Sequence, residues 1–238
     1  MKIALASIEN VNGDINCNQN KIIQTLNNLT NKVDLVCFGE AFLHGFDALT
    51  WEYEKDKNIA LTVDSKYINE IRNHASKTKT AVGFGFFEIV AETIYCSYLV
   101  IGKDGSIVDH YQRVSIGWKY HQKTDYHYQE GNGFHSFKFM DKTIVIALCG
   151  DLWYQENTDA INEIEKDFVI WPSHLDYSIE MWEKEKNEHL QMSSKVNVPT
   201  LFINNISSTS LGGCRYYDKG RVMEELPMGS SGFLLLDI

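Results

Sequence analysis

Proline is scarce in this chain, with three in 238 residues, and no stretch is rich in Pro, Ser and Gly together. A flexible linker between folded units therefore has nowhere to sit, and the reading is one domain over residues 1–238. Hydrophobic runs are short, and none approaches the roughly 20 residues that cross a bilayer. Positive charge is in deficit: 22 Lys and Arg stand against 32 Asp and Glu, a formal net charge of −10. That balance argues against nucleic acid or an anionic membrane as the main partner, since both are bound by clustered Lys and Arg. Cysteines number five, at Cys17, Cys37, Cys96, Cys149 and Cys214, an odd count with no C-x-x-C spacing. A disulfide framework and a zinc site are thereby disfavoured, and a reducing cytoplasm fits. The start, Met1 to Asn10, lacks the apolar stretch and cleavage site of a secretory signal, so cytoplasmic residence is the expectation.

What is present is a globular composition, 44% hydrophobic and 12% aromatic, in a chain long enough to bury a core without staples. Short apolar runs alternate with longer amphipathic ones. Lys2 to Ser7, Val33 to Gly39, Thr80 to Glu88, Tyr95 to Ile101, Ile107 to Val114, Thr143 to Leu148 and Pro199 to Asn204 read as strands. Phe168 to Trp171 reads as a further strand stopped by Pro172, while Val222 and Phe233 to Ile238 read as a closing hairpin. Asn18 to Leu29, Ser65 to Lys77 and Ile179 to Val196 carry apolar residues at helical spacing. Interleaved strands and helices place the chain in the α/β class.

Polar residues that stop buried strands are the candidates for chemistry, because α/β folds put ligands at strand ends. Glu40, Cys149 and the segment Arg113 to Lys119 are so placed. A thiol nucleophile needs a base to take its proton, and the oxyanion it generates needs a cation or N–H donors. Acid, thiol and cation cover those roles. Taken singly, a cysteine at a strand end is more often a small core residue, and spacing alone does not separate the two readings. A phosphate-binding loop after the first strand is ruled out, since Ser7 to Gly13 offers one glycine. The His-, Tyr- and Asp-rich stretch Tyr120 to Tyr128 matches no metal-ligand spacing.

Larger segments carry a resemblance. MKIALAS at the start, DLVCFGEAFLHGF (Asp34 to Phe46) and TIVIALCGDLW (Thr143 to Trp153) resemble, in order, the first strand, the glutamate segment and the cysteine segment of the nitrilase, or carbon–nitrogen hydrolase, superfamily. YCSYLVIGKDGSIVDHYQR, VIWPSHLD and VPTLFINN are weaker echoes of the segments between and after them. The resemblance implies a four-layer α-β-β-α sandwich and a cysteine-dependent hydrolase of a small non-peptide amide working through a thioester. Glu40 becomes the general base and Cys149 the nucleophile, with the Gly150 N–H on the oxyanion. It implies no metal and no organic cofactor, and a homodimer or larger homo-oligomer.

The sequence departs from the family where the catalytic lysine belongs: Tyr111-Gln112-Arg113 puts arginine there. Lys119, six residues on, is the other candidate, and the reading leans towards it. Glu130, with Asp125 as competitor, is the candidate second acidic residue. His44, Trp118, Trp153, His174 and Trp182 are candidates to shape the pocket, Trp153 and His174 foremost for substrate binding. Alternatives are a nitrilase, an N-carbamoyl hydrolase, or a pseudoenzyme that kept the fold for binding.

Overall fold

A computed structural model describes residues 1–238. In chain order the elements are β1 (Lys2–Ser7), α1 (Ile15–Leu29), β2 (Leu35–Cys37), α2 (Tyr53–Asp56), α3 (Lys66–Thr78), β3 (Ala81–Val90), β4 (Thr93–Ile101), β5 (Ile107–Gln112), β6 (Ser136–Phe139), β7 (Lys142–Ile146), α4 (Gln155–Asn162), β8 (Phe168–Ser173), α5 (Ile179–Lys195), β9 (Thr200–Ile206), β10 (Leu211–Asp218), β11 (Arg221–Leu226) and β12 (Gly232–Asp237). Two six-stranded sheets result, ordered β12-β1-β2-β3-β4-β5 and β11-β10-β9-β8-β7-β6. Both are mixed, with a parallel trio in each: β1-β2-β3 and β7-β8-β9.

The strand period of two explains the layering. In β1, Ile3 and Leu5 join the cluster between the sheets, while Ala4 and Ala6 meet residues of α1 and α3 on the outer face. In β7, Ile144 and Ile146 face inward and Val145 faces the cluster that includes Ile161 of α4 and Trp182 of α5. Both faces of each sheet are covered, so the central strands read as continuous apolar runs. The outer helices are specified locally. Asp14 caps α1 by accepting from the Cys17 N–H at 2.9 Å, and Ser65 caps α3 by accepting from the Ile68 N–H; each cap satisfies an N–H that the helix leaves unpaired. The outcome is the α-β-β-α sandwich that the resemblance implied.

Two expectations are corrected. β8 runs through Pro172 to Ser173. Its pairing with β7 ends at Ile170, so beyond that point only β9 lies alongside, and a residue without an N–H is tolerated there. The last two strands form no hairpin. β11 pairs with β10, whereas β12 crosses to the other sheet and pairs antiparallel with β1. The burial pattern gives the reason: β11 is exposed along nearly its whole length, while β12 buries Leu234 and Leu236 in the inter-sheet core.

The parallel trios place the chemistry. Glu40 follows β2, Cys149 follows β7, and Ser173 and His174 lie at the end of β8. Asn205 lies near the end of β9. All leave their sheets at carboxyl ends, where the two sheets face each other.

Candidate active site

Cys149 opens a short 3-10 turn, Cys149–Trp153, that breaks out of β7. Its φ is +41°, a left-handed conformation that costs a non-glycine residue free energy. The surroundings hold it there. Asp151 reaches back to accept from the Leu148 N–H at 2.7 Å, and its two oxygens also take the Tyr111 hydroxyl at 2.6 Å and the Ser115 N–H at 2.7 Å. The Trp171 indole donates to the Cys149 carbonyl at 2.7 Å. The thiol points to the His174 carbonyl at 3.9 Å. Burial, and then the Glu40 charge, push the thiol up to about 12, with Arg113 pulling the other way. Burial and the neighbouring carboxylate thus favour the thiol over the thiolate as the resting form.

Glu40 is wholly buried. Asn205 fixes its backbone from both sides: Asn205 Oδ1 accepts from the Gly39 N–H at 2.9 Å, and Nδ2 donates to the Glu40 carbonyl at 2.7 Å. Across the turn, Gly85 of β3 has no side chain because one would strike the Ala41 backbone nitrogen at 2.2 Å. The two carboxylate oxygens differ. Oε1 accepts from Arg113 Nη1 at 2.6 Å and from the Cys96 thiol at 3.4 Å, whereas Oε2 is buried without a partner. An orphaned buried oxygen is costly unless a reacting group comes to meet it.

Arg113, and not Lys119, is the cation against Glu40. Its Nε donates to Ser115 Oγ at 2.8 Å and its Nη1 to Glu40. Its Nη2 lies under the cysteine turn, where a methyl group added to Gly150 would stand 2.5 Å away. Burial alone would pull the guanidinium down, but Glu40, Cys149 and Asp151 around it carry it above its ordinary value. Lys119 points elsewhere: its Nζ donates to the Tyr128 carbonyl at 2.5 Å and pairs with Glu130 at 2.8 Å.

Among the other expected residues, Glu130 meets Lys119, and Gly150 gives Arg113 its room. His174 and Trp118 line a cavity of about 510 Å³ together with Cys149, Arg113 and Lys119. Trp153 and Trp182 are not in it; they pack edge-on around His189, which like Trp182 belongs to α5. His44 is buried away from the cavity, between the Ile59 carbonyl and the Phe87 N–H. Asp125 is exposed and holds His127. No three His, Cys, Asp or Glu side chains converge as a metal site would require. Cys96, Ser115, Asp47 and Thr209 are not marked out individually by the sequence: Cys96 and Ser115 lie inside the segments noted above and Asp47 directly follows one, but nothing local says that these side chains turn to the site.

Four likenesses to known proteins bear on this arrangement. The family model described as Carbon-nitrogen hydrolase matches residues 2–233. A cyanide hydratase of Gibberella zeae is 27% identical over 88 residues, which cover 33% of this chain and 25% of that protein, so the chain spans a quarter of that relative's length. Among solved structures, a glutamine-dependent NAD+ synthetase from Acinetobacter baumannii superposes with a TM-score of 0.82 at 17% identity, over 98% of this chain and 44% of that one. An amidase from Nesterenkonia sp. AN1, in a mutant with acrylamide added at its active-site cysteine, superposes with a TM-score of 0.80 at 14% identity, over 100% of this chain and 93% of that one.

Proposed function

This chain belongs to the carbon–nitrogen hydrolase family, and from that premise we propose that it hydrolyses a small non-peptide amide, with Cys149 as nucleophile and Glu40 as general base. One observation carries the reading. A left-handed cysteine turn and a guanidinium with one nitrogen under that turn line a single cavity, and the guanidinium is paired from behind with a buried carboxylate that keeps one free oxygen.

The steps follow from the atoms. The amide carbonyl enters beside Cys149. As Sγ bonds to the carbonyl carbon, the thiol proton passes to Glu40 Oε2, the oxygen that no protein group occupies. A concerted transfer suits a thiol whose own ionisation is suppressed. Negative charge collects on the former carbonyl oxygen. The Gly150 N–H and Arg113 Nη2 receive it, both already fixed by the fold and needing no reorganisation. The carbon–nitrogen bond then breaks as Glu40 returns its proton to the departing nitrogen, leaving a thioester on Cys149. Water gives a proton to Glu40 and attacks the thioester. Collapse of that second adduct releases the acid and restores the thiol.

Arginine in the lysine's place alters one feature. A guanidinium is a permanent fork of donors that does not exchange protons under these conditions. All proton traffic therefore falls to Glu40, and Arg113 serves as orienter and charge acceptor. Nitriles form the second substrate class, favoured by the segment shared with the cyanide hydratase.

The test is ammonia release from a panel of small amides and nitriles by wild type and by Cys149→Ala. The variant is expected to keep its circular dichroism and melting temperature and to lose all turnover. Turnover persisting in the variant would remove Cys149 from the nucleophile role.

A further inference from the structure

The cavity that holds Cys149 is lined by charges of both signs. Its two cations are each neutralised by a carboxylate of their own, Arg113 by Glu40 at 2.6 Å and Lys119 by Glu130 at 2.8 Å. The same cavity is lined by two further carboxylates near His174, Asp47 from the loop after β2 and Asp176 from the loop after β8. Neither has a Lys or Arg partner. Asp47 Oδ2 accepts from the Thr209 hydroxyl at 2.7 Å and from the Asn12 amide at 3.3 Å, and these are neutral donors.

His174 sits near these two carboxylates and does not balance them. Its ring lies flat on Phe46, with centroids 4.6 Å apart and planes 6° from parallel. It is 8% exposed, its Nε2 is 3.4 Å from Thr209 Oγ1, and its Nδ1 has no partner. Burial lowers its proton affinity against the pull of Glu40, Asp47 and Asp176, so at neutral pH it adds no positive charge. The cavity lining therefore carries two uncompensated negative charges and an unsatisfied buried ring nitrogen. Trp51 and Tyr120, edge to face at 5.5 Å, add aromatic surface to the same cavity.

We propose that the substrate is an amide whose far end carries a positive charge, an ammonium or a guanidinium, held by Asp47 and Asp176 while its carbonyl lies at Cys149. This rests on the hydrolase reading and specifies what enters the site. The charged end gains two carboxylates and the faces of the aromatic rings, which attract cations through their quadrupoles. A ligand ending in a carboxylate would meet like charges there and find both cations already paired. Because Asp47 and Asp176 are exposed, the attraction is open to screening and must weaken with added salt.

The experiment measures binding, so it does not depend on turnover. Three matched ligands of equal length, 5-aminopentanamide, 5-hydroxypentanamide and the monoamide of glutaric acid, are titrated calorimetrically into the Cys149→Ser protein. The ammonium amide is expected to bind about tenfold or more tightly than the hydroxyl amide at low salt, consistent with one charge near two carboxylates at an effective dielectric near that of a protein surface. The carboxylate ligand is expected to be weakest. Asp47→Asn and Asp176→Asn should each shrink the ammonium amide's advantage over the hydroxyl amide and together erase it. Equal binding of all three, tightest binding of the carboxylate ligand, a preference that survives the double substitution, or no binding of any at millimolar concentration would overturn the proposal. Failure of wild type to turn over any amide, with the charge preference intact, would count against the hydrolase reading alone.

Discussion

Arg113 presents its three nitrogens to three neighbours: Nε to Ser115, Nη1 to Glu40 and Nη2 to the underside of the Gly150 turn. Lys119 spends its charge on Glu130 and the Tyr128 carbonyl. Arg113→Ala should therefore lower kcat/KM by roughly a thousandfold, since it removes an oxyanion donor and leaves Glu40 buried without its counter-ion. Lys119→Ala should cost less. Steady-state kinetics on the best amide substrate check the ranking, and the reverse order would move the oxyanion role to Lys119. The Cys149 thiol gives a second prediction at this scale. With burial and Glu40 pushing it up to about 12, its alkylation by iodoacetamide in the folded protein should climb steadily from pH 7 to pH 9.5. A plateau beginning near pH 7 would reveal a preformed thiolate instead.

At the scale of elements, two glycines mark where turns and strands approach so closely that a methyl group decides the outcome. At Gly85 in β3 the obstruction is backbone, the Ala41 nitrogen at 2.2 Å. Gly85→Ala must push the Glu40 turn away from the sheet and should cost roughly 2 kcal/mol of stability, the scale of core overpacking. At Gly150 the obstruction is the Arg113 guanidinium at 2.5 Å, the far end of a long side chain. Gly150→Ala should leave the melting temperature nearly unchanged and still lower kcat, because Arg113 moves off its place. Calorimetry and kinetics on the pair separate the two effects. Equal loss of stability in both variants would show that the Arg113 position also supports the fold.

For the molecule as a whole, two buried histidines set the response to acid. His44 uses both ring nitrogens in its neutral form, Nε2 donating to the Ile59 carbonyl and Nδ1 accepting from the Phe87 N–H. His189 is enclosed by Trp153, Trp171, Trp182 and Phe202 with neither nitrogen paired. Burial lowers each to about 4, aided at His189 by Arg215. The unfolded chain takes up these protons near pH 6.5, and the folded chain refuses them until about pH 4. Stability should thus fall as pH drops through 6.5 and go on falling to about 4, by on the order of 3 kcal/mol for each histidine at 1.36 kcal/mol per unit of pKa difference. Urea unfolding at pH 7, 6 and 5 tests this, and replacing His189 by Leu should flatten the slope. A midpoint that stays level over that range would mean that the histidines protonate without opening the fold.

Elements whose signals are local are legible along the chain. β1 spans Lys2–Ser7 as its apolar run requires and α3 starts beside Ser65, whereas α1 begins at Ile15, three residues before the apolar spacing from Asn18 put it, because Asp14 caps it there. Glu40 and Cys149 were legible because each ends a buried strand within a segment that resembles a known family. Which cation meets Glu40 was settled by the packing of the folded chain. Arg113 and Lys119 are six residues apart on one segment, and nothing in that spacing says that the first turns beneath Gly150 while the second turns to Glu130. The same packing also decided where β12 pairs, since β1 lies more than 200 residues away in the chain, and it brought Asp47, Asp176 and Thr209 to one cavity. The physical reason is common to all three: loops and long crossovers carry weak local preferences, and their conformations are chosen by packing and charge pairing that exist only once the two sheets have closed on each other.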